Sequence, residues 1–163
     1  MMTTGMIGLL QVDTEPKLWV EFFLAFSRLE YALKRAGYLN RKQNWAEPDW
    51  KEFANEVGKL GGTDLDPVLQ CCDYLRKNPP KRQVQVNGKL DWEERQASDC
   101  PVKDVIDSIR CVRNNLCHGG KFPGGPVEDP ARDEKLIRDC LNVLKELLKL
   151  PKCKEVKKYF YEV

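Results

Sequence analysis

The sequence predicts an all-α fold: an antiparallel bundle of about five helices carrying a small β-hairpin insertion near residues 83–91. Three observations predict it. Prolines that closely follow an acidic residue punctuate the chain, and apolar residues between them recur at three- and four-residue steps. One stretch departs from that spacing, "RQVQVNGKLDW", where alternating residues flank Asn87-Gly88, the strongest short hairpin signal. No repeat, low-complexity tract or long linker divides the chain, so a single helical domain over 1–163 is expected, with residues 1–14 as a flexible N-terminus.

The starts come in order at Glu15-Pro16, Glu47-Pro48, Asp66-Pro67, Asp99-Cys100-Pro101 and Asp129-Pro130. Proline suits the first helical turn because its missing N–H has no partner there, and a carboxylate beside it can cap free amides and complement the dipole. Leu18, Phe22, Phe26, Leu29 and Leu33 line the first helix; Trp50, Phe53, Val57 and Leu60 the second. Val68, Leu69, Cys72 and Leu75 line the third. The fourth carries Val102, Val105, Ile106, Ile109, Val112 and Leu116, and the last Leu136, Cys140, Val143, Leu144 and Leu147. Gly37, Gly58 with Gly61-Gly62, Asn78-Pro79-Pro80, Gly119-Gly120 and Pro151 supply the stops. A Gly/Pro-rich loop, "GGKFPGGPVEDP", precedes the last long helix. The tail "KCKEVKKYFYEV" reads as a short helix whose aromatics pack and whose lysines face water; the rival reading is a grip on single-stranded RNA by charge and stacking. Trp45, Trp50 and Trp92 read as core or edge packing.

Composition narrows the function classes. The longest apolar stretch, "LWVEFFLAF", is too short to cross a bilayer, and the N-terminus lacks the basic region and cleavage site of a secretory signal, so a cytoplasmic location is expected. Seven cysteines without framework spacing read as reduced, partly buried thiols. There is no C-x-x-C, and Cys111, Cys117 and His118 are too few and wrongly spaced for structural zinc, so neither metal nor cofactor is expected. A net charge of +2 argues against coating nucleic acid through an overall field but leaves room for a local basic cleft.

One residue breaks the helical pattern. At about 100° per residue, Arg113 falls between Ile106 and Ile109, in the middle of the core-facing stripe. A buried cation needs a partner, and Glu30, among Phe23, Phe26 and Leu33, is the candidate inside the chain; a ligand phosphate is the candidate outside it. Glu30 is equally read as a structural ion pair to Arg113, as an exposed pair with Lys34, or as a residue that orients a site. His118, the sole histidine, stands before Gly119-Gly120, so it belongs to the last helical turn or its cap. Continued as an ideal helix, the chain would turn it about 140° away from Arg113. A helix C-terminus favours the protonated imidazole, which suits proton transfer.

"RNNLCH", residues 113–118, at the end of the fourth helix resembles the R-x4-6-H signature of the HEPN superfamily, the higher eukaryote and prokaryote nucleotide-binding domains. "FFLAFSRLEYALKRAGY" before it and "KLIRDCLNVLKELL" after it are similar to bacterial members, so the resemblance covers most of the chain, the hairpin excepted. It implies a metal-independent endoribonuclease, a toxin or anti-phage defence effector, working as a homodimer with the active cleft between protomers. On that reading Arg113 clamps the scissile phosphate, His118 is the general acid or base, and Asn114 is a positioning hydrogen-bond donor. The expected product ends are cyclic 2′,3′-phosphates. Lys121 is a further candidate phosphate contact, against a plain solvated loop cation. Members controlled by a nucleotidyltransferase antitoxin carry a tyrosine two residues after the histidine; Gly120 stands there, which puts that mode of control in doubt. An antitoxin or defence-system protein remains the expected partner class, beside RNA. The alternative is a non-catalytic module of the same fold that holds a nucleotide, an RNA or a partner protein, and a third reading is a purely structural helical adaptor.

Overall fold

In the computed structural model, residues 16–42, 44–118 and 129–162 are described, and among them lie seven α-helices, one 3-10 turn and one β-hairpin. The expected N-terminal segment 1–14, Lys121 and most of the Gly/Pro-rich loop fall outside the described residues. The all-α architecture with a small hairpin is as the periodicities predict.

Helix α1, Pro16–Arg35, buries Leu18, Phe22, Phe26, Leu29 and Leu33. It stops where Gly37 takes φ +97°, a value that costs glycine no Cβ clash. The Tyr38 N–H then reaches the Leu33 carbonyl at 3.0 Å and the Gly37 N–H the Lys34 carbonyl at 3.2 Å, which closes the open end of the helix. The following loop is tied to itself. Asn40 donates to the Glu47 carbonyl at 2.9 Å and Asp49 to the Tyr38 carbonyl at 3.0 Å, around a Leu39–Pro48 bridge. Helix α2, Trp50–Gly58, begins at Asp49, whose carboxylate accepts from the Glu52 N–H at 2.8 Å.

The third predicted helix is two. Helix α3, Gly62–Gln70, breaks at Cys71-Cys72 before α4, Asp73–Lys77. Pro67 lies inside α3 rather than at its start. It withholds one N–H, but the helix seats Leu65 and Val68 in the core, and that burial outweighs one lost bond. No side chain of its own caps α4; Asp139 of a later helix does, accepting from the Leu75 N–H at 2.8 Å.

Strands β1, Arg82–Val86, and β2, Lys89–Glu93, pair antiparallel from Arg82 opposite Glu93 to Val86 opposite Lys89. Asn87 and Gly88 make the two-residue turn, with φ of +51° and +77°, as a type I′ connection requires. Helix α5, Pro101–Cys117, and α6, Pro130–Leu147, both start with proline; the Asp129 side chain accepts from the Arg132 N–H at 3.0 Å. The 3-10 turn Pro151–Cys153 leads into α7, Lys154–Tyr161, which buries Val156, half-buries Tyr159 and Phe160 and leaves Tyr161 exposed.

Helix α1 packs on α6 and α7, while α5 packs on α2 and α3 and also meets α4, α6 and β1, all around one hydrophobic core. Trp50 is buried in that core, Trp92 half-buried on the hairpin and Trp45 exposed. Among the described residues no helix is long and apolar enough to cross a membrane. All seven cysteines are free: Cys72, Cys111, Cys140 and Cys153 buried, Cys71 and Cys100 half-buried, and Cys117 exposed.

Candidate active site

The end of α5 and the tied loop after α1 enclose an open cleft of about 640 Å³. Arg113, Asn114 and His118 all line it, with Glu30 and Phe26 of α1 opposite. The polar residues of α5 here, Arg110, Arg113, Asn114 and His118, follow the i, i+3, i+4, i+8 spacing of one helical stripe. His118 is the C-cap, at φ −103° and ψ 21°, and its N–H still reaches the Asn114 carbonyl at 2.9 Å. From that position it lines the cleft together with Arg113.

Arg113 is not in the middle of the core stripe. Its side chain is 30% exposed, at the cleft, and from α1 it meets one ring and one carboxylate. The guanidinium carbon stands 5.2 Å from the centre of the Phe26 ring, and Nη2 lies 3.6 Å from Glu30 Oε2. Nη1 donates to Asn114 Oδ1 at 2.9 Å. The contact expected of Asn114 as a donor is therefore an acceptor's contact to the arginine, and its NH2 is left for a ligand. Glu30 resolves toward Arg113 and not Lys34: its other oxygen accepts from the Trp50 indole N–H at 3.3 Å, while Lys34 donates to the Ala46 carbonyl at 3.4 Å.

A stacked Phe26–Trp50 pair, 5.3 Å between centroids, forms the apolar floor. Arg110, which the sequence reading passed over, lies 5.7 Å above the Trp50 ring and pairs with Asp107 at 3.2 Å. The signal that finds it is the stripe itself, since Arg110 precedes Arg113 by one turn. Lys34, Lys42 and Lys51 add cations at the rim, against Glu47 and Asp49, so the lining carries a positive excess although the whole chain is nearly neutral. A guanidinium kept in place by a carboxylate and an amide oxygen shares the cleft with an exposed imidazole, and such a set is chemically able to hold a phosphate. The residue Cys117 is exposed as a whole, and partial desolvation of its thiol raises the pKa from its ordinary range. Among the described residues no cluster of three or more His, Cys, Asp or Glu side chains is able to hold a metal ion.

No protein-family model, curated protein or solved structure matches the chain.

Proposed function

We propose that this cleft binds and cleaves RNA: in class a phosphodiester-binding helical protein, and in particular a metal-independent, HEPN-type endoribonuclease acting in the cytoplasm as a toxin or anti-phage effector. One observation carries the reading: the sole histidine and the half-buried Arg113 share a cleft whose lining holds more cations than carboxylates. In the reaction His118 takes the proton of a ribose 2′-hydroxyl, the 2′-oxygen bonds to phosphorus, and the P–O5′ bond breaks. The imidazolium returns the proton to the leaving 5′-oxygen. Arg113 neutralises charge growing on the non-bridging oxygens, held for that task by Glu30 and Asn114. The products are a 2′,3′-cyclic phosphate and a 5′-hydroxyl, and no water or metal is consumed.

Arg113 and His118 of one chain line one cleft, and the homodimer that the resemblance implies would set that cleft between protomers. Such a dimer would wall the open side of the cleft and exclude water, and sedimentation analysis tests for it. The alternative, a binding module without catalysis, is favoured by the ion pair itself, since Arg113 is satisfied inside the chain by Glu30. One assay separates the two: purified protein is incubated with mixed RNA and EDTA, beside Arg113→Ala and His118→Ala. Cleavage by the parent alone supports the nuclease; RNA binding without cleavage supports the module; cleavage that survives both substitutions removes these residues from the chemistry.

A further inference from the structure

A second cleft, of about 450 Å³, lies on the other side of the same helical stripe, and Arg110, Asn114 and His118 line both. Its far wall is the hairpin and the segment that follows it, which present Arg82, Gln83 and Arg95. The hairpin is docked there by α5. Asn115, buried, donates to the Lys81 carbonyl at 2.9 Å, and the Cys111 thiol reaches the same carbonyl at 3.3 Å. A buried amide and a buried thiol spent on one backbone oxygen fix the base of the hairpin against the helix that carries Arg113 and His118.

The charges in this cleft do not balance. Arg95 and Arg110 share a single carboxylate, Asp107, at 3.7 and 3.2 Å, while Arg82 pairs across the strands with Glu93 at 2.6 Å. Three guanidiniums meet two carboxylates. Gln83, half-buried, adds an amide to the same wall. Cations for a phosphate and an amide for a base edge are two contacts that a single strand of nucleic acid offers to meet.

We propose that the hairpin side of α5 is a second ribonucleotide subsite, continuous with the Arg113 cleft. Arg82 and Arg110 take the phosphodiester next to the scissile one, and Gln83 takes the edge of the base attached to it. This rests on the RNA reading of the first cleft. It makes the hairpin, which lies outside the family resemblance, the element that selects among RNA sequences.

The test is binding, with 2′-O-methyl RNA that no 2′-hydroxyl mechanism can cleave. Fluorescence anisotropy at fixed salt compares a dinucleotide with a hexanucleotide on the parent, Arg82→Ala, Gln83→Ala and Glu93→Gln. The parent is expected to prefer the hexanucleotide. Arg82→Ala weakens hexanucleotide binding about tenfold more than dinucleotide binding and lowers the salt slope by about 1. Glu93→Gln removes the cross-strand partner but keeps the cation, so it retains the preference. If Glu93→Gln loses as much as Arg82→Ala, the arginine merely holds the hairpin together and the subsite is overturned. Equal binding of both lengths by the parent overturns it too, as does displacement of the hexanucleotide by inorganic phosphate at the concentration that displaces the dinucleotide. The nuclease reading fails separately: a length-dependent binder that cuts no 2′-hydroxyl RNA keeps the subsite and loses the catalysis, and a length-independent cutter does the reverse.

Discussion

The stretch of α5 from Val102 to Val112 and its last turn to Cys117 with the His118 cap share one backbone and opposite surroundings. In the first, Val102, Val105, Ile106, Ile109 and Val112 are buried against aliphatic and aromatic neighbours. In the last turn, Arg113 is pointed at a ring and a carboxylate, Asn114 and His118 are exposed, and only Asn115 is buried, on a backbone oxygen of the hairpin segment. The difference teaches where this protein places its dry packing and where it leaves polar groups open to a cleft. Dry packing holds the helix rigid, and the rigid helix delivers its polar end to two clefts.

The widest separation of the two stretches is expected in activity. Arg113→Ala and His118→Ala each lower RNA cleavage by about 10²- to 10⁴-fold; His118→Ala leaves the melting temperature little changed, while Arg113→Ala also loses the ion pair to Glu30, worth about 1 kcal/mol, as initial rates and thermal denaturation will show. Comparable loss of folding would mean that the last turn is structural after all. Ile109→Ala does the opposite: it costs about 2–5 kcal/mol in urea denaturation and leaves the rate per folded molecule near that of the parent. Gly88→Ala, at φ +77°, sharpens the comparison from the hairpin side. It costs about 1–2 kcal/mol of local stability, read as faster amide exchange in β1 and β2, while α5 keeps its protection.

Smaller effects follow from the ion pairs. Glu30→Gln removes the partner of Arg113 in a setting only partly open to water, so about 1 kcal/mol is lost in denaturation, with weaker RNA binding from a less ordered guanidinium. The smallest effect belongs to Glu56, on the open surface of α2. Lys152, at 2.7 Å, and Lys59 hold its carboxyl down to about 2. A lowered value means that the contribution is complete above the ordinary glutamate range, about pH 4.3, and fades as pH falls toward 2. The melting-temperature difference between the parent and Glu56→Gln should therefore be present at neutral pH and vanish near pH 2; a difference that persists there would show an effect other than charge.

Local rules made much of this legible. Pro16, Pro101 and Pro130 mark helix starts because φ and the missing N–H are properties of the residue itself, and Asn87-Gly88 marks its turn because few other pairs accept two positive φ values. Pro67 misleads for the converse reason: the gain from seating Leu65 and Val68 depends on the rest of the core, which no local signal contains. Asp139, which caps α4 from 64 residues away, is beyond any spacing rule. In the site, Arg113 stands out in sequence because it breaks the helical pattern and His118 because it is the sole histidine at a helix end, while Asn114 enters only through the family resemblance; Arg110 does not stand out, because it sits on a face where an arginine is ordinary.

The sequence by itself determined the helices, the hairpin turn and the presence of a cation and an imidazole at the end of one helix, since each is written in spacings of four residues or fewer. Only the tertiary structure decided that α1 offers Phe26 and Glu30 to Arg113, that His118 at the cap of α5 lines the same cleft, and that Asn115 fastens the hairpin beside them. The physical reason is range. Backbone conformation answers to near neighbours, whereas a cleft is made where segments far apart in the chain meet, and which of them meet is settled by burying one common core.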